Sequence, residues 1–136
     1  QKILVCVRGL TPVLRFAFDE AKMRDAALYV LYIREIAVIY TGGTVPSVNW
    51  RGDPEASAIL GTALQIGKHR GVTTVPLFVS APNTAAIIVD MAATLGADFL
   101  MVGATHRGAM TKLLRGSVVS EVAASLPDNI QLVIYG

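Results

Sequence analysis

Short, continuous apolar runs alternate along this chain with segments whose apolar residues return every third or fourth position. Residues 2–8, Lys-Ile-Leu-Val-Cys-Val-Arg, predict a strand buried on both faces. Gly9 ends that run, and Thr11-Pro12 supplies a cap and a first-turn proline. Leu14, Ala17, Phe18 and Ala21 then fall at helical spacing, predicting a helix to about Asp25. Ala27 to Arg34 predicts a second strand. Asp53-Pro54-Glu55 opens a second helix as cap, proline and acid. Its inward face runs through Ala56, Ile59, Leu60, Ala63 and Gly67 to the stop signal His69-Arg70-Gly71, where His69 is expected to meet the last carbonyls. Val72 to Ser80 predicts the third strand. Pro82 introduces a helix with Ile88, Met91, Ala92 and Leu95 on one face, closed by Gly96. Asp98 to Val102 predicts the fourth strand, residues 117–126 the last helix (Val119, Val122, Ala123 and Leu126 inward), and Ile130 to Tyr135 the fifth strand after the turn at Pro127-Asp128-Asn129.

Five strands alternating with helices predict one α/β domain over residues 1–136, a parallel sheet wound with helices on both faces. In such a sheet the ligand crevice lies at the carboxyl ends of the strands where the winding reverses. The piece from Glu35 to Arg51 is long for a connection and reads as a functional or mobile loop. Its Tyr40 and Trp50 either cover the ligand cleft or meet a partner. Arg51-Gly52-Asp53 reads as a turn into the helix cap, not as an adhesion signal.

The composition sharpens this picture. Hydrophobic residues make up 53% of the 136 and charged residues 16%, with a mean hydropathy of +0.54. The longest apolar run, Ala26 to Ile33, is too short to cross a bilayer. The apolar excess must therefore lie in two-faced strands and in contact with a partner. A net charge of +2 gives no broad basic field and argues against nucleic acid. The single cysteine, Cys6, lies in the first strand; it excludes an internal disulfide and fits a reducing, cytoplasmic setting as an inert buried thiol. The first residue is Gln1 rather than Met, which is expected of a trimmed chain or of a domain from a longer polypeptide.

The candidate chemistry gathers after the fourth strand. Phe99 to Ser120 contains no Asp or Glu but includes Arg107, Lys112 and Arg115. A strand end, a glycine-punctuated loop and a helix start at Ser117 together favour an anion: free amides and the positive helix end point to one place. Ser117 suits an N-cap, and its hydroxyl can instead meet a phosphate. His106 is the one acid–base candidate, and it reads as a loop histidine that donates hydrogen bonds. The acidic cluster of a phosphoryl receiver, a Gly-x-Ser-x-Gly elbow, a Walker lysine and paired metal-spaced histidines are all absent from the sequence, so no enzyme and no metal site are expected.

Val102-Gly103 through Arg107-Gly108, followed by Leu113-Leu114-Arg115-Gly116-Ser117-Val118, resembles the signature of the universal stress protein family. The resemblance runs from Ile3 to Tyr135, with only the Gly103 to Val118 segment specific. It implies a Rossmann-like sheet of order 3-2-1-4-5 and, in many members, ATP or AMP on a Gly-x2-Gly-x9-Gly-Ser/Thr loop. Gly103, Gly116 and Ser117 match at the right spacing, whereas His106 stands at the second glycine, with Gly108 two residues on. Histidine enters positive φ less readily than glycine, and its ring crowds a phosphate. The first strand of nucleotide-binding members ends in an Asp that meets the ribose or adenine side; here Arg8 stands there and cannot accept a ribose hydroxyl. The resemblance places Ile33 against an adenine ring. Its implied contact set is Val7, Arg8, Gly9, Ile33, Gly103, His106, Arg107, Gly108, Gly116, Ser117, Val118 and Val119, with magnesium only as the nucleotide carries it.

Two functions follow as expectations. One is a stress or signalling domain whose loop is ordered by an adenine nucleotide. The other is a regulatory module that dimerises without nucleotide, such as the cytoplasmic C-terminal domain of a membrane transporter. The apolar edge Leu132-Val-Ile-Tyr135 predicts a homodimer through residues 130–135, as family members often form. Direct membrane insertion is not expected.

Overall fold

A computed structural model describes residues 1–8, 12–35, 45–46, 50–82, 84–103 and 121–135. Strand β1 (Lys2–Val7) is followed by helix α1 (Pro12–Arg24), strand β2 (Ala27–Glu35) and the two-residue strand β3 (Val45–Pro46). A 3-10 turn (Trp50–Gly52), helix α2 (Pro54–Arg70), strand β4 (Thr74–Ala81), helix α3 (Thr84–Leu95) and strand β5 (Phe99–Gly103) come next. Residues 121–125 are helical, and strand β6 (Gln131–Tyr135) closes the chain's order. The sheet order is β3-β4-β2-β1-β5-β6. Its five long strands are parallel and follow the expected 3-2-1-4-5 order. β3 adds a two-residue antiparallel rung at the edge, Val45 opposite Ser80 and Pro46 opposite Val79.

Strand parity decides the two cores. Ile3, Val5 and Val7 of β1 join Leu28, Val30 and Tyr32 of β2 and Met101 of β5 beneath α1 and α2. The alternate residues, Leu4 of β1, Leu31 of β2, and Leu100 and Val102 of β5, pack with Ile88 and Ala92 of α3 and Val122. Continuous apolar runs are needed because these strands are covered on both faces. α2 is held at both ends: the Asp53 carboxylate accepts from the Glu55 and Ala56 amides, and Gly71 takes the left-handed conformation at φ 71°. α1 instead ends on Asp25 at φ 54°.

Of residues 35–51 the structure describes only a part, and there it corrects the reading of Trp50. Part of that piece is ordered as β3 and the 3-10 turn, and Trp50 is 8% exposed within the α1–α2 core. Its indole thus neither covers a cleft nor presents itself to a partner; Tyr40 lies outside the described residues. The third helix begins at Thr84, two residues after Pro82.

Candidate functional site

The winding reverses at β1. β1 to β2 and β2 to β4 cross on the face covered by α1 and α2, whereas α3 returns the chain to β5 across the other face. In parallel sheets this reversal marks the place of the ligand crevice, here the carboxyl ends of β1 and β5. The structure brings Val7, Arg8, Ile33 and Gly103 to this one rim, on the adjacent strands β2, β1 and β5. Gly9, His106, Arg107, Gly108, Gly116, Ser117, Val118 and Val119 lie outside the described residues.

Val7 is 4% exposed, its side chain packed in the α1–α2 core. Arg8 is exposed directly above it. Ile33 is half-buried on the opposite face of the sheet, packed with the Val79, Ala81 and Ala85 cluster. At Gly103 a Cβ would lie 3.2 Å from Val13 Cγ1 and 3.9 Å from the Tyr135 carbonyl oxygen. The missing side chain lets the first turn of α1 close over the end of β5. This is a packing reason for glycine, added to the loop signature that drew attention to it.

A polar cluster at the same rim was not anticipated from the sequence. Arg34 at the end of β2 forks onto the N-cap of α2, with Nη2 donating to Asp53 Oδ1 at 2.8 Å and Nε donating to Oδ2 at 3.1 Å. The same Nη2 lies 3.0 Å from Glu55 Oε1. The Tyr32 hydroxyl donates to that oxygen at 2.5 Å, and its ring stacks on Phe78 at 5.8 Å between centroids. The Arg34 bond, then the Ala56 amide, hold the Asp53 carboxyl below its ordinary range. The Tyr32 bond and then Arg34 do the same for Glu55. Burial, with the Glu55 hydrogen bond next, pushes the Tyr32 phenol up to about 12. The sequence signal was present: Tyr32 and Arg34 share strand parity on the side that α2 covers, and Asp53 and Glu55 flank the proline of that helix. Asp53 is thus committed to a cap and an ion pair, which agrees with the reading of Arg51-Gly52-Asp53 as a turn.

Cys6 faces the α3 core, and burial pushes its thiol up to about 12, so it stays protonated and a poor nucleophile at neutral pH. Among the described residues no group of three or more His, Cys, Asp or Glu could hold a metal ion, and no helix is long and apolar enough to cross a membrane. A cleft of about 350 Å³ bordered by Lys22, Asp25, Gly71 and Thr73 lies at the amino ends of the strands, away from this rim.

The fold agrees with that of known proteins. A universal stress protein solved in complex with cAMP is 25% identical, with a TM-score of 0.63 over 98% of this chain and 95% of that one. A universal stress protein family member from Burkholderia pseudomallei is 23% identical, with a TM-score of 0.67 over 97% of this chain and 94% of that one. A family member from Arabidopsis thaliana solved with AMP bound is 16% identical, with a TM-score of 0.59 over 100% of this chain and 92% of that one. The last two likenesses speak to the fold alone. No curated protein sequence matches significantly. The family model described as the universal stress protein family matches residues 1–130, and the chain belongs to that family.

Proposed function

We propose that this domain is a cytoplasmic stress or signalling regulator that binds an adenine nucleotide, AMP or ATP, without turning it over. The observation that carries the reading is the reversal of winding at β1, the place where sheets of this kind take a ligand, with Val7, Arg8, Gly103 and Ile33 at the strand ends beside it. The full-length likeness to a universal stress protein in complex with cAMP supports it. The base lies on Ile33. The phosphates meet the segment from Gly103 to Val119, through Arg107, Gly108, Gly116, Ser117, Val118 and Val119. Arg8, a donor only, pairs with phosphate rather than with ribose hydroxyls, so the nucleotide is held chiefly by its anionic end. Thermal melting with AMP, cAMP and Mg-ATP tests this: a ligand that binds only the folded form raises the midpoint with its concentration. Midpoints unmoved at millimolar nucleotide would remove the proposal.

A second reading is a module that dimerises through β6 without nucleotide. It is favoured by Ile134 and Tyr135, which are 49% and 38% exposed on an edge strand. Sedimentation is expected to give a dimer at micromolar concentration and a monomer for Ile134→Lys; a wild-type monomer at that concentration overturns it.

A further inference from the structure

α3 is apolar nearly all round. From Thr84 to Leu95 it holds nine apolar residues, two threonines and one charge, Asp90. A helix of that kind belongs between two surfaces. The inward surface is the sheet, where Ile88 and Ala92 pack with Leu4, Leu100 and Val122. The outward positions Ala86, Asp90, Ala93 and Thr94 are exposed. Between α3 and the helical residues 121–125 runs a groove of about 610 Å³, whose walls include Ala85, Val89, Asp90, Ala93, Glu121 and Ser125. Small side chains there admit the close approach of another helix.

Charge indicates what fits the groove. α3 and residues 121–135 contain Asp90, Glu121 and Asp128 but no Lys, Arg or His, although the chain's net charge is +2. The cations Lys22, Arg24, Lys68 and Arg70 belong to α1 and α2, which cover the other face of the sheet. A twofold contact with a second copy through this groove would set Asp90 and Glu121 against their own counterparts. An anionic lipid surface would be repelled in the same way. We propose that the groove is the docking site for an amphipathic helix of another protein. That helix buries apolar side chains between α3 and residues 121–125 and carries Lys or Arg to meet Asp90 and Glu121. Docking here needs no nucleotide at the strand ends, and it accounts for part of the apolar excess of the chain.

The probe is a fluorescent helical peptide of about 18 residues built from Leu, Ala and Lys, with its leucines on one face. A companion peptide carries Glu for every Lys. By anisotropy with the full chain, the lysine peptide is expected to bind, to weaken as salt rises, and to exceed the glutamate peptide by about tenfold or more. Ala93→Arg places bulk and a like charge in the groove at an exposed helical position, where arginine costs little. It is expected to melt as wild type does and to lose the lysine peptide by about tenfold or more. Asp90→Asn is expected to lose about two- to fivefold, the value of one exposed ion pair. Ala58→Arg, exposed on α2 across the sheet, is expected to bind as wild type does. Should Ala93→Arg melt lower, Asp90→Lys at its exposed site must show the same loss. No binding at millimolar peptide, equal binding of the two peptides, or binding untouched by these groove substitutions overturns the proposal. If Ala93→Arg instead turns a wild-type dimer into a monomer in sedimentation, a second copy fills the groove and the proposed partner is wrong.

Discussion

The same substitution made six residues apart in α2 is expected to act in opposite directions. Replacing an interior helical glycine by alanine ordinarily adds about 1 kcal/mol of stability. At Gly61 a Cβ meets nothing within 4 Å, so Gly61→Ala is expected to show that gain in full. At Gly67 a Cβ would overlap the Thr74 hydroxyl outright, lie 2.9 Å from Thr74 Cβ and approach the Val72 carbonyl oxygen at 3.1 Å. Two of these contacts leave little room to adjust: Thr74 belongs to β4, and Val72 is pinned by its amide donating to the Gly67 carbonyl at 2.8 Å. Rotating the Thr74 hydroxyl away breaks its 3.0 Å bond to the Val72 carbonyl, a loss of about 1 kcal/mol. Overpacking adds about 1–3 kcal/mol. Against a propensity gain of about 1 kcal/mol, the net is a loss of roughly 1–3 kcal/mol. For a chain of 136 residues each kcal/mol moves the melting midpoint by about 3–4 °C. Calorimetry should therefore find Gly61→Ala about 3–4 °C above wild type and Gly67→Ala about 3–12 °C below it. Midpoints that move in the same direction would refute the claim that α2 lies against β4 through the bare backbone of Gly67.

Other outcomes follow from particular residues. Asp25 holds a left-handed φ of 54° just past α1, so Asp25→Gly is expected to raise stability by about 0.5–1 kcal/mol in urea melts, with an unchanged denaturant slope. His106→Gly is expected to strengthen AMP binding by restoring the family loop pattern; unchanged affinity would assign the departure to Arg8 instead. Above about pH 10, where an ordinary tyrosine ionises, stability is expected to decline towards pH 12, because the Tyr32 phenol holds its proton longer in the folded state; Tyr32→Phe should flatten that limb.

The alternation of apolar runs and periodic segments made the fold readable, because β1, β2 and β5 are buried on both faces and their sequences admit few polar residues. Gly103 was legible as a strand end but not as the seat of Val13, since close approach by another element leaves no mark in the local pattern. β3 is two residues long and held by pairing with Ser80 and Val79 of a distant strand, so no local periodicity could disclose it. Trp50 misled for a related reason: a lone aromatic in a polar stretch looks exposed until the 3-10 turn directs it inward. The Arg34 cluster was hidden because a charged residue at a strand end usually meets solvent. Its capping partner Asp53 was foreseen, but not the fork that joins them.

The two faces of the sheet treat the rim differently, and this separates stability from recognition. On the α2 face, Arg34, Asp53, Glu55 and Tyr32 tie the end of β2 to the start of a helix through charge. On the α3 face, Ile33 is half-buried and packs with apolar neighbours. The carboxyls of Asp53 and Glu55 titrate below their ordinary range, so the folded state binds fewer acidic protons than the unfolded chain. Their contribution is complete above the ordinary carboxyl values near pH 4 and is lost as pH falls through the lowered ones. Arg34→Gln removes the largest cause of the shift at Asp53 and the second at Glu55. It should lower the melting midpoint at neutral pH and flatten its decline between about pH 5 and pH 2. Because the guanidinium lies on the face away from Ile33, AMP affinity at neutral pH should stay close to that of wild type. If Arg34→Gln weakens AMP binding about tenfold or more, the two faces are not independent, and the base must be held by the β2 end as a whole.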